Sequence, residues 1–385
     1  MNSSSGPTDH RQPPGWVERP STLRVFGLLA LLAAACADNH SPAPAAGARD
    51  ASPAGPHLAA TSSVTATGDL REYSLPTSDS GIMGPAIDHQ GRVWFGEMNH
   101  NHLTVFDPRT QRFRQAAIPD GQLGIMGVAV GPDDTVWYAE AYANYVGHYF
   151  PATGRFETFP LPTISAPDPR DPSKHQALPS APNEVAIDAH GAVWFTEMNA
   201  DAIGRLDPHS GKIHHYPLAA GKSAPGLTPF GIALGPQGLV WFTEFTTERI
   251  GRLDPATGRV RYFTDPAVTV PLMKVAVDPG GAVWATSSAS GFLVRLVPDT
   301  GATTPYRFAS ASAVDGLAIT PTGQVWITIG AENIVARLDV AAGRFLSYAV
   351  PTVGGWPFGV VAAADNTVWF SEARRDKIGM LRPGR

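Results

Sequence analysis

Apolar and polar positions alternate in short bursts along most of the chain, and the bursts recur as one unit. In "NEVAIDAHGAVWFTEMNADAIGRLD", Asn183 to Asp207, a small apolar run, a Gly turn, an apolar run with Trp and a third run ending in Asp read as three strands. A fourth, "KIHHYPL", follows after a "DPHSGK" turn of the Asp-Pro and Gly type. The same arrangement returns around "VW" at Trp94, Trp137, Trp194, Trp241, Trp284, Trp326 and Trp369, at spacings of 43, 57, 47, 43, 42 and 43 residues. Seven of the nine tryptophans occupy this one position. A period in the low forties built from four short strands predicts an all-β fold, a seven-bladed β-propeller with four-stranded antiparallel blades. Long stretches of 3.6-residue period, which helical repeats would need, are absent. Each Trp is expected to pack between neighbouring blades.

The two ends of the repeat region complement each other. The last unit stops after "KIGMLRPGR", a third strand with no fourth, while "DLREYSLP" from Asp69 to Pro76 is a fourth strand with no blade of its own. Pairing the two would close the ring and remove two open sheet edges. The propeller is therefore placed at 69–385. Gly 39 and Pro 36 agree with many tight turns, and 43% hydrophobic residues suffice for a core. A formal charge of −5 gives no basic footprint, so nucleic acid is not an expected partner.

The first 68 residues have a different character. "RVFGLLALLAAAC" joins Arg24 to an apolar run and three alanines that end at Cys36, the single cysteine. That layout is a secretory signal, shorter than a comfortable membrane span, with a lipobox-like end at which Cys36 would be lipidated. An ordinary signal peptide with a coincidental Cys is the alternative. Residues 37–68 are largely Ala/Pro/Ser-rich and aperiodic, and are read as a flexible tether. The expected location is exported, periplasmic or membrane-anchored, with membrane contact only through that lipid, and the propeller is expected to be a monomer.

At the level of motif, "PFGIALGPQGLVWFTEFTTERIGRLD" (Pro229 to Asp254), with "FETFPLPT" and "LREYSLPT", resembles the virginiamycin B lyase family, the streptogramin lyases. The resemblance covers about 69 to 385. It implies a seven-bladed propeller and a magnesium-assisted elimination that linearises a cyclic depsipeptide at its ester bond. It also implies histidine eleven residues before the Trp in the last two blades, one serving as general base or acid. This chain has Asp315 and Phe358 there. An aspartate can accept a proton; a phenylalanine cannot.

Positions eleven before each Trp and three after it are expected to ring the mouth of one central funnel. The first set is Met83, Met126, Asn183, Phe230, Met273, Asp315 and Phe358, with Glu184 and Lys274 as polar neighbours. It would bind a small molecule or cyclic peptide. The second set is Glu97, Glu140, Glu197, Glu244 and Glu372, replaced by Ser287 and Ile329 in two blades. Carboxylates gathered near one axis would repel unless neutralised, so they are candidate ligands for Mg²⁺ or Ca²⁺, or else structural hydrogen-bonding groups of the repeat. No organic cofactor is expected. His100 and His102, just beyond Glu97, could supply the missing imidazole, so that His100, His102 and Asp315 form the candidate catalytic set. His214, His215 and His190 read as exposed and inert. The connection Pro162 to Pro182, with Asp168, Arg170, Asp171, Lys174 and His175, is longer than its counterparts and reads as a lid over the funnel or a disordered loop.

Three functions remain open from sequence: a lyase-like enzyme, a non-catalytic binding propeller, and a lactonase-type hydrolase. No G-x-S-x-G elbow, phosphate loop or H-E-x-x-H accompanies them.

Overall fold

The computed structural model describes residues 62–119, 124–168, 171–218, 226–310 and 312–384. The expected signal and lipidation site at Cys36 lie outside them, as does the expected tether up to residue 61. Among the described residues the chain forms a seven-bladed propeller of antiparallel blades, each read from the channel outward as strands A to D. Blade three, for example, runs Pro182–Ile187, Val193–Glu197, Ala202–Asp207 and Lys212–Pro217.

Ring closure follows the expected scheme. Gly68–Ser74 lies antiparallel to Lys377–Pro383 and supplies strand D of blade seven. Regular structure nevertheless begins before Asp69, in what the sequence suggested was tether. Ser62–Thr65 pairs in parallel with Arg344–Ala349 and makes blade six five-stranded.

The connection Pro162 to Pro182 also differs from a simple loop. Thr163–Asp168 and Asp171–Pro179 pair as a separate two-stranded sheet, carrying an ion pair of Lys174 Nζ with Asp171 Oδ2 at 3.1 Å. Arg170 lies outside the described residues.

Each repeat Trp joins the hydrophobic cluster of the following blade. Trp241 packs with Leu272, Val283 and Leu296, Trp284 with Val325, Ile327 and Leu338, and Trp369 with Val93, Phe95 and Phe106 across the closure. Its outer flank meets an aromatic of strand D, as in Trp284–Tyr306 at 5.8 Å between centroids, and an Arg such as Arg295 at 5.8 Å. In three blades an aspartate six residues earlier ties the A–B turn to the indole: Trp94, Trp194 and Trp284 Nε1 donate to Asp88, Asp188 and Asp278 at 2.8, 3.0 and 2.9 Å.

A hydroxyl two residues after the Trp stitches the inner strands together. Thr196 Oγ1 accepts from Glu184 N–H and donates to Phe230 O of blade four. Thr243 Oγ1 does the same between Gly231 N–H and Met273 O, and Thr328 Oγ1 donates to Phe358 O. Inner strands thereby approach closely enough to exclude a Cβ. One added at Gly231 or Gly316 would stand 2.4 Å from the carbonyl oxygen of Met273 or Phe358 in the next blade.

Trp284 is 1% exposed and belongs to the blade six cluster. Trp284→Ala should therefore cost about 3–5 kcal/mol in chemical denaturation, the range for truncating a buried large aromatic. A loss below about 1 kcal/mol would contradict its role as an inter-blade keystone.

Candidate active site at the hub

Strand A of each blade enters the hub beside the end of strand B. The register pairs Pro182 with Glu197, Pro229 with Glu244 and Pro357 with Glu372. Both predicted rings therefore lie at the same end of the blades, but their side chains go to different places.

The hub contains a cavity of about 120 Å³ lined by residues ten and nine before the Trp: Gly84, Pro85, Gly127, Val128, Glu184, Val185, Lys274, Val275, Gly316, Leu317, Gly359 and Val360. Of the expected ligand-binding positions, Glu184 and Lys274 are in this lining. Met126, Asn183, Phe230, Met273 and Phe358 are buried next to it and Met83 is half-buried. The shift inward has a steric cause, since glycine ten before the Trp in five blades leaves the channel to backbone and to the two exceptions, Glu184 and Lys274. Lys274 Nζ forms an ion pair with Glu184 Oε1 across blade four, and lies 5.9 Å from the Phe230 ring centroid.

Asp315 is the third charged hub residue, 5% exposed, with Oδ2 accepting Gly330 N–H at 2.7 Å. Burial pushes its carboxyl up from 3.8 to about 7, against the opposing pull of the Gly330 hydrogen bond and of Lys274 and Arg374. Burial lowers Lys274 from 10.5 to about 8, with Asp315 pulling it back up. A carboxyl and an ammonium thus both titrate near neutrality within one water-poor hub.

The five glutamates are fully buried. Glu97 accepts from Thr77, Thr104 and Gln115; Glu197 bonds His215 Nδ1 at 2.7 Å; Glu244 accepts Arg249 Nε at 2.8 Å. His215, expected to be inert, is thus a partner of a buried acid, which raises its affinity for a proton. Glu140 and Glu372 occupy the same strand-B position in their own blades. Among the described residues no three His, Cys, Asp or Glu side chains stand together in a way that could hold a metal ion. As placed among the described residues, the five glutamates do not converge on one magnesium or calcium site.

His100 and His102 stay with blade one. His100 Nε2 lies 2.7 Å from Ser78 O, His102 Nδ1 lies 3.8 Å from Glu97 Oε2, and the two rings stack at 6.3 Å. Neither is in the lining of the hub cavity. Of the three candidate catalytic residues, the hub cluster includes Asp315 alone, with Lys274 and Glu184. Gly330, which donates its N–H to Asp315, Arg374, whose charge acts on it, and Trp356, which lies against both Gly330 and Arg374, were missed by sequence reasoning. The available signal was Trp356, a tryptophan outside the repeat position.

Comparison with known proteins agrees with this architecture. Residues 170–273 and 269–384 match the model of the virginiamycin B lyase family. The chain belongs to this family. Among solved structures it is similar to selenomethionine-substituted virginiamycin B lyase from Staphylococcus aureus, with 24% identity, TM-score 0.71, and 82% of this chain and 99% of that chain covered. A streptogramin B lyase gives 26% identity, TM-score 0.71, and coverage of 82% and 98%. A catalytically inactive histidine-to-alanine variant of the Staphylococcus aureus lyase with quinupristin gives 25%, 0.71, 82% and 99%. No curated protein matches the sequence.

Glu372 provides a stability test of these buried acids. Its carboxyl is pushed up from 4.5 to about 8, first by burial and then by the nearby Glu72 of the closing strand. The folded protein holds that proton more tightly than the unfolded chain. Its stabilising contribution is therefore full below about pH 4.5 and lost as pH rises to about 8. Glu372→Gln should flatten the fall in stability between these values by an amount on the order of a few kcal/mol, read from denaturant midpoints across the range.

Proposed function

We propose that the protein is an exported lyase-type propeller that opens a cyclic ester by elimination, with Asp315 taking the proton that histidine takes in its relatives. The supporting observation is Asp315 itself: buried one residue before Gly316 of the hub lining, under the electrostatic influence of Lys274, and at the repeat position for which the family resemblance implies histidine. A carboxyl that ionises near pH 7 is a competent general base at neutral pH. Lys274 supplies fixed positive charge that favours the ionised form, and Glu184 holds Lys274 in place. The ligand class is a small cyclic depsipeptide or lactone.

Export rests on Arg24 to Cys36, and anchoring on lipidation of Cys36. Replacing Cys36 with Ala should release the protein from membrane fractions in an exporting bacterial host.

Incubation with quinupristin followed by mass spectrometry tests the chemistry. Elimination gives a linear product of unchanged mass; gain of one water would show hydrolysis; binding with intact substrate would show a non-catalytic propeller. Asp315→Asn should lower turnover about 10²-fold or more. The rate should rise as pH passes about 7, where Asp315 ionises, and decline above about 8 as Lys274 loses its charge. Activity and melting temperature measured with EDTA, Mg²⁺ and Ca²⁺ show whether any metal acts on the folded ring.

A further inference from the structure

Blade seven departs from its counterparts where the chain enters strand A. Thirteen residues before the repeat Trp the backbone is left-handed at Gly81, Gly124, Ala181, Thr228 and Trp356. Four of these carry small or short side chains. The fifth is the bulkiest residue available, at φ 56, a conformation that disfavours large side chains. Trp356 is not one of the seven interface tryptophans, and its Nε1 is buried without a hydrogen-bond partner. A Cβ on Gly330 would approach that Nε1 within 2.5 Å, so the indole edge lies on the backbone turn whose N–H holds Asp315.

Arg374 covers the indole. Its Cζ is 3.8 Å from the ring centroid, its side chain is exposed, and its charge acts on Asp315. Among the ion pairs of the described residues it has no carboxylate partner. Together with Arg375, and with Asp79 and Asp376, whose carboxylate accepts the Asp79 and Ser80 backbone N–H groups, it lines a cavity of about 440 Å³.

We propose that Arg374, braced by Trp356, receives the carboxylate that leaves when the ester is opened at Asp315. This rests on the elimination reading above. In that reaction the Asp315 carboxylate takes a proton from the carbon adjacent to the carbon bearing the ester oxygen. The C–H electron pair becomes the new C=C bond, and the C–O bond breaks with its pair on the departing carboxylate oxygen. The proton stays on Asp315 until water removes it. A new anion therefore forms close to a buried acid and needs a fixed cation. The planar guanidinium matches a carboxylate with two parallel N–H donors. Stacking on the indole fixes its plane and shields one face from water before any ligand arrives, so little reorganisation is needed.

The test is calorimetric titration of the full chain with two probes made from quinupristin: the linear acid from alkaline hydrolysis of its ester, and the methyl ester of that acid. The wild-type protein should bind the acid at least about 10-fold more tightly, within the range for charge-assisted pairing. Arg374→Ala should erase this preference and Arg374→Lys should retain part of it, with circular dichroism confirming the fold. Trp356→Ala should reduce the preference with Arg374 still present. Equal binding of acid and methyl ester, binding of neither, or a preference that survives Arg374→Ala overturns the proposal. An undiminished preference in Trp356→Ala overturns the bracing role. Because the titration reads binding rather than turnover, an acid-selective protein that never opens the ring fails the elimination reading alone. A ring-opening protein without acid selectivity fails the Arg374 proposal alone.

Discussion

The hydroxyl two residues beyond the repeat tryptophan is the contact on which the hub depends. In Thr196 and Thr243 it accepts an N–H from strand A of its own blade and donates to a carbonyl of strand A in the next. A packed apolar interface alone would tolerate sliding of one blade past another, because burial is not directional. The shared hydroxyl fixes that register, and glycine at the neighbouring position lets the strands close to a distance at which it can act. Tryptophan contributes a large buried aromatic surface at each interface, while threonine helps determine where along the strand that surface is used. Side chains distant in sequence, such as Glu184, Lys274 and Asp315, are brought to one axis as a result.

That convergence would be unfavourable if every blade delivered a charge to the same place. Strand alternation avoids this. The glutamate three residues after the Trp lies on the opposite face of strand B and turns into its own blade, where in several blades a partner such as Gln115, His215 or Arg249 bonds at least one of its oxygens. The axis then carries few titratable groups, and each is only weakly solvated. This is the condition under which a carboxyl and an ammonium shift toward neutral pH rather than remaining fully charged. The separation of structural acids from hub acids leaves Asp315 chemically distinct.

Blade number, the inter-blade role of Trp and the closure by Asp69 to Pro76 were readable from sequence because each is a repeated or complementary pattern. Glu197 and its equivalents were harder. Their spacing placed them at the correct end of the blade, but a one-dimensional repeat does not say whether a side chain faces the axis or the interior. The hub lining shifted by one or two positions for a related reason, since the steric demand of strand-to-strand contact at Gly231 and Gly316 becomes visible only when neighbouring blades meet. Trp356 illustrates a different limit. Its departure lies in a backbone angle shared with Gly81 and Ala181, and composition carries no trace of that angle. Ser62–Thr65 escaped because a parallel strand on an outer edge needs little hydrophobic alternation.

That outer strand gives the ring a mechanical hierarchy. Traction on the chain from its N-terminal side meets Ser62–Thr65 first, clipped along blade six, and only then reaches Gly68–Ser74, which holds the circle shut. A load can be absorbed by unzipping a short peripheral segment while the wheel stays whole. Under such a load the clip would give way before the strand whose loss would open the propeller.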